Sequence, residues 1–343
     1  MRLLGLFLIV VILVSACQKK KSEYVKFSGF AQGTSYNITY ENSKNEDYSI
    51  EIDSLLKAFD KSCSIYDSTS IISRVNKNDP TVEADDWFIE VFKKSAEVNK
   101  ISEGALDITV GPIVHAWGFG NAPIAKHNKA YIDSLLQFVG MDKVKLEGRK
   151  IIKKYPGVTL DFNAVAQGYS VDVVSKFLEN KGIQNYLVEI GGEIHCKGTS
   201  AKNRLWHVGI DKPTKENDGA DGQLQAIVEL NNKSMTTAGN YRKFFVENGI
   251  KYGHTIDPKT GFPARNTLLS ATVVCDDAET ADAYDTVFMV LGLEKSKELL
   301  KKLPGIDVYF IYSNPQGEFE LFLTEGMKKM IIEQKKEVIT QQP

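Results

Sequence analysis

Asp282, Asp285 and Thr286 stand three and four residues apart in an otherwise apolar stretch, "ETADAYDTVFMVLG", from Glu279 to Gly292. On a helix that spacing puts all three on one face. Ala281, Ala283, Tyr284, Val287, Phe288, Met289, Val290 and Leu291 cover most of the remaining circumference. A carboxylate in dry surroundings is costly unless it is paired or bound to a metal. Two carboxylates and a hydroxyl on one stripe make a hard oxygen site, which suits Mg2+ with its few protein ligands and retained waters. Capping is the other account: Thr280 or a nearby Asp can close the helix start, and the helix dipole favours acids in the first turn.

A second stretch, "LDFNAVAQGYSVD", opens another helix with small residues. Asn163 is the expected cap and Gly182 the expected stop of a helix running to about Glu179. Exposed N–H groups at such a start can receive a phosphate. Neither a G-x-G-x-x-G fingerprint nor a G-x-x-x-x-G-K-[ST] loop is present. Gly191-Gly192 follows the strand-like "NYLVEI" and permits either close approach of a ligand to the backbone or a simple bend. His254 lies beside the tight turn Asp257-Pro258-Lys259-Thr260-Gly261, where it reads either as a general base or as a solvated loop histidine.

The elements that must position these residues alternate between strand pairs and inserted helices. "FSGFAQGTSYNITY" reads as two strands broken near Gly33, and 50–59, 87–103 and 131–139 as helices. Segment 144–160 reads as short strands; "WHVGI" with "QAIVEL", and "DVYFIYS" with "FELFLTEGM", read as antiparallel pairs. The pattern predicts an antiparallel-rich α+β fold and not a doubly wound parallel sheet. With 343 residues, 42 basic against 44 acidic, the chain supports a large core and lacks the basic excess of a nucleic-acid binder. Cys63, Cys196 and Cys275 have no zinc-type spacing; sequence leaves open whether two of them pair.

The N-terminus, "MRLLGLFLIVVILVSAC", has one Arg, a short apolar run and small residues before Cys17. This is the pattern of a secretory signal, and Val14-Ser15-Ala16-Cys17 resembles a bacterial lipobox, with an uncleaved anchor as the alternative. The expected division is a signal at 1–16, a polar tether at 17–26, one catalytic domain at 27–330 and a tail at 331–343.

Seven stretches in order resemble the ApbE family of flavin transferases: "GTSYNITY", "GALDITVGPIVHAWGFG", "LDFNAVAQGYSVD", "NYLVEIGGEI", "TTAGNYRKFF", "HTIDPKTGFP" and "ADAYDTVFMVLG". The resemblance spans Phe27 to about Leu323. It implies two lobes around a flavin-binding cleft, a lipoprotein on the periplasmic side of the bacterial inner membrane, and a Mg2+-dependent reaction. FAD would give its FMN half to a Ser or Thr hydroxyl of an acceptor protein and release AMP. The same resemblance implies a metal held by Asp282, Asp285, Thr286 and the Ala166 carbonyl. It implies FAD contacts at Gln32, Tyr66, Ala105, Leu106, Asp107, Asn163, Tyr169 and Ile256. His254 is the candidate base, with Asp282 or Asp285 as rivals. The implied acceptors are subunits of membrane redox pumps and flavin-dependent reductases carrying a Ser/Thr motif. Water as the attacking group would make an FAD pyrophosphatase, and loss of turnover a flavin-binding lipoprotein. The chain departs from the family at Gln32, commonly Met, and at Gln167, often Lys or Glu.

Overall fold

The structure, a computed structural model, describes residues 23–118, 128–212, 224–239, 244–247, 250–253 and 255–334. Cys17 and His254 lie outside the described residues. Among those described, no helix is long and apolar enough to cross a membrane.

Strands β1 (Tyr24–Ala31) and β2 (Thr34–Glu41) form the expected hairpin. They begin an eight-stranded sheet continued by β3 (Tyr186–Ile190) and β4 (Glu193–Lys197). Strands β5 (Trp206–Asp211) and β6 (Leu224–Leu230) belong to a smaller sheet. The large sheet is completed by β7 (Lys233–Gly239), β8 (Leu268–Cys275), β9 (Asp307–Ser313) and β10 (Phe319–Leu323). Its order is β1-β2-β3-β4-β7-β8-β9-β10, and every pairing is antiparallel. The expected α+β class is the one observed.

Four helices matter for the site: α1 (Ser49–Cys63), α2 (Asp86–Ile101), α3 (Ala166–Asn180) and α4 (Ala278–Leu291). In α1 the buried Ile52, Leu56, Phe59 and Cys63 recur at intervals of three or four, which defines one core-facing stripe. In α2 Asp85 caps the first turn by accepting the Phe88 N–H. Helices α3 and α4 cover one face of the large sheet, so that Val171, Val174 and Leu178 meet Ile38, Tyr186 and Val188, and Phe288 meets Phe310. The opposite face packs on the small sheet, through Cys196, Met235, Val274 and Tyr309 against Val208, Ile210 and Val228.

Three sequence expectations change. The N-terminal residue of α3 is flanked by Val165 without a side-chain cap, so Asn163 is not the cap. Its N–H donates to Asp161, which keeps residues 161–163 in a turn ahead of the helix. The tail expected from 331 begins with a strand, β11 (Ile331–Gln334), which adds to the free edge of β6. At the other end β1 already starts at Tyr24, three residues before the expected boundary. Cys63, Cys196 and Cys275 are buried and free.

The closest approach of α3 to α4 is at Gly168. A Cβ there would overlap the Ala278 carbonyl oxygen and lie 2.7 Å from Asp282 Cβ. The obstacle is backbone, which cannot turn aside as a side-chain tip can. Gly168→Ala should therefore destabilise the protein by about 1–3 kcal/mol, the usual range for overpacking. Urea unfolding of the variant checks this; wild-type stability would mean that the helices do not meet this tightly.

Candidate functional site

The first turn of α3 and the middle of α4 bring the central residues together. Gly168 donates its backbone N–H to Asp282 Oδ2 at 2.8 Å. This is one of the helix-start amides that has no partner within its own helix. Asp282 and Asp285 are both buried, and Thr286 is half-buried with its hydroxyl 3.3 Å from Asp285 Oδ1. Burial pushes both carboxyls up from their ordinary range, and the charge of Asp282 raises Asp285 further. The Gly168 N–H pulls Asp282 back toward ionisation, and the Thr286 hydroxyl does the same for Asp285.

The structure assigns the capping of α4 to other acids. Asp277 is the cap of α4: its side chain accepts the Thr280 N–H at 2.8 Å. Asp172 accepts two further N–H groups of that first turn, from Ala278 and Glu279. Capping is thus fully provided before Asp282 is reached. Ala166 is the first residue of α3, two positions before the amide that holds Asp282. The donor set is carboxylate, hydroxyl and backbone carbonyl, all hard oxygens, and it fits Mg2+ better than a softer metal. The described residues contain no group of three or more His, Cys, Asp or Glu placed to hold one ion directly.

Around this centre the expected ligand contacts fall into three groups. Gln32 sits in the β1–β2 turn with φ 54°, and its carbonyl accepts the Ser170 hydroxyl at 3.2 Å. Its Nε2 is buried without a partner among the described residues, as a donor awaiting a ligand acceptor would be. Tyr66 is 53% exposed, and its phenol lies near the Asn163 side chain. Asn163 is tied to Asp161, whose N–H donates to the Ile108 carbonyl; that links it to the buried Ala105, Leu106 and Asp107. Asp107 accepts from the Thr109 backbone and hydroxyl, and burial raises it. Ile256 is buried with Ile113, Trp117 and Ile132, and Trp117 Nε1 donates to the Gly261 carbonyl of the neighbouring turn.

Tyr169 is the exception. Its ring packs on Phe59 and lines an open pocket of about 680 Å³ with Trp87, Asp172 and Glu279, one turn away from the Asp282 contact. Two residues that carry weight here were not singled out from sequence. Glu193 follows the Gly191-Gly192 pair and accepts the Gln167 amide at 2.6 Å. Glu279 is buried in the first turn of α4, with Oε1 unpartnered among the described residues. An acid directly after a glycine pair at a strand end was the available signal for Glu193; Glu279 looks like any first-turn acid.

A sequence profile of the ApbE family matches residues 32–310. The chain belongs to the ApbE family. An FAD:protein FMN transferase of Haemophilus influenzae is 36% identical over 318 residues, 89% of this chain and 90% of that protein. One of Vibrio cholerae is 35% identical, over 83% of this chain and 86% of its own length. Among solved structures, the flavin transferase ApbE from Vibrio cholerae superposes with a TM-score of 0.81 at 33% identity, covering 90% of this chain and 99% of that one. The apo flavinyl transferase ApbE of Pseudomonas stutzeri gives 0.79 at 29% identity, covering 91% of this chain and 98% of that one. The ApbE-family match runs through the β1–β2 turn, α3 and α4, the elements that build the site.

Glu279 of this ApbE-family chain generates a pH prediction. Burial pushes its carboxyl from the ordinary 4.5 up to about 8, and Lys94 opposes the rise. The folded state holds this proton more tightly than the unfolded chain, so the stabilisation is complete at low pH and is lost as pH climbs toward 8. Glu279→Gln should raise the melting temperature over wild type by a difference that grows between about pH 5 and pH 8. A difference that stays constant across that window would show that Glu279 does not titrate there.

Proposed function

We propose that this chain is an FAD:protein FMN transferase that moves FMN from FAD to a Ser or Thr hydroxyl of an acceptor protein and releases AMP. Family membership supports flavin transfer. The observation that carries the finer reading is the buried Asp282–Asp285 pair of α4, a helix already capped by Asp277, with Asp282 held against the first turn of α3 by the Gly168 N–H. In the reaction the acceptor oxygen bonds to the phosphorus of the FMN half. The bridging P–O bond of the pyrophosphate breaks, the hydroxyl proton passes to a base, and AMP leaves with the bridging oxygen.

Asp282, Asp285, Thr286 and the Ala166 carbonyl would hold Mg2+. When bound, the ion neutralises charge that develops on the pyrophosphate. Gln32, whose buried amide donor has no partner among the described residues, would take an acceptor atom of FAD, and Tyr66, Asn163 and the 105–107 segment would wall the ligand. Tyr169 and Ile256 would contact it from the margins. His254 is the proposed base, and Asp282 and Asp285 are its rivals. The acceptors in this reading are subunits of membrane redox pumps and flavin-dependent reductases. Residues 1–16 are the signal and Cys17 the lipid anchor, which holds the catalytic domain at the periplasmic face of the inner membrane.

Incubation with FAD, Mg2+ and an acceptor, followed by mass spectrometry, separates the outcomes. Covalent FMN on the acceptor supports transfer; free FMN and AMP would mean a pyrophosphatase, and intact FAD a binding protein. Asp282→Ala should lower transfer by about 10²-fold or more, since loss of a charged metal ligand removes several kcal/mol of transition-state stabilisation. Asp285→Ala should also weaken it, and Thr286→Ala should cost less because it removes a neutral ligand. A folded Asp282→Ala protein with wild-type transfer and an unchanged Mg2+ midpoint would refute the metal assignment.

A further inference from the structure

Two consecutive residues of α3 each hold one carboxylate. Gly168 holds Asp282 through its backbone N–H, and Gln167 donates its side-chain amide to Glu193 Oε2 at 2.6 Å. The same amide donates to the Ile190 carbonyl at 3.2 Å, so its direction is fixed from two sides. Space for it exists because residue 191 is glycine: a Cβ there would overlap Gln167 Nε2. Gly191 also has φ 68°, in the left-handed region that glycine tolerates. The turn after β3 is therefore shaped to let a neutral amide grip Glu193.

Glu193, Asp282 and Asp285 lie close enough to feel one another's charge. Among the described residues no salt bridge reaches any of the three. Like charges gathered without a counter-charge are costly. Gln167 relieves this only in part, because its amide orients and stabilises the Glu193 carboxylate but brings no positive charge. Yet the three acids are not placed to ligate one ion directly. A carboxylate just beyond direct reach of a Mg2+ ion is within reach of the waters that such an ion retains. Those waters are strong donors, and groups that accept from them orient the whole shell.

We infer that Glu193 is an outer-sphere positioning residue of the cation seat, accepting from a water carried by the divalent cation while Gln167 fixes its carboxylate. This rests on Asp282 and Asp285 being the cation's ligands. The amide is suited to the task. A lysine in its place would neutralise Glu193 itself, whereas Gln leaves the negative charge available to the hydrated ion.

The test is Mn2+ binding to the full chain without FAD, followed by electron paramagnetic resonance, with cation-free thermal unfolding of every variant. Glu193→Gln should weaken Mn2+ binding about 10–100-fold, the usual effect of losing an outer-shell partner. Its cation-free melting temperature should equal or exceed wild type, because one of three crowded charges is gone. Gln167→Leu should weaken binding in the same direction while Glu193 is retained. Asp282→Ala should abolish binding. Wild-type Mn2+ affinity in Glu193→Gln, with binding lost in Asp282→Ala, would overturn the role of Glu193 alone. Wild-type affinity in both would overturn the cation seat and this role with it. Weaker binding together with a lowered cation-free melting temperature in both Glu193→Gln and Gln167→Leu would make Glu193 a packing residue and overturn the inference.

Discussion

The site depends on one contact, the approach of α3 to α4 at Gly168. With no side chain in the way, the first turn of α3 lies against α4, and a free helix-start amide meets the Asp282 carboxylate. A helix N-terminus favours negative charge. One N–H does not offset two buried acids, however, and the hydrogen bond that Asp285 accepts among the described residues comes from the Thr286 hydroxyl. Among the described residues no salt bridge answers these carboxylates, as the proposed cation seat would require. The rest of the fold supports this geometry: the large sheet fixes both helices from below, and the β3–β4 turn carries Glu193 to the same place.

The surrounding groups follow the same logic of incomplete satisfaction. Gln32 presents a buried donor without an acceptor among the described residues, in a turn whose backbone is held in the left-handed region. Asp107, by contrast, is buried and tied to Thr109 and Asn99. Tyr66, near Asn163, leaves about half its surface exposed. Unpartnered atoms mark where ligand chemistry is expected, and partnered ones mark the frame.

Much of this was legible in the sequence, for identifiable reasons. In the large sheet the β1–β2 and β9–β10 hairpins could be read directly from neighbouring strand-like runs, and the Asp282–Asp285–Thr286 stripe stands out because its helix is otherwise apolar. Asn163 misled because an Asn before small residues looks like a cap, while the chain makes a further turn on Asp161 before the helix starts. β11 was hidden because four residues before a charged end carry almost no pattern of their own; it exists because the edge of β6 supplies the partner groups. Glu193 could not be placed from sequence, since its neighbour Asp282 is near it only through the sheet and the two helices. No local period encodes that proximity.

The central claim is that the Asp282–Asp285 pair is a divalent-cation seat and not a structural acidic pair. The most direct measurement is an anomalous difference map from crystals grown with FAD and Mn2+, a close stand-in for Mg2+ at oxygen sites. The account predicts a single strong peak in contact with carboxylate oxygens of Asp282 and Asp285, beside the first turn of α3, and with a phosphate oxygen of FAD. A map with FAD bound and no anomalous density at these two carboxylates would contradict it.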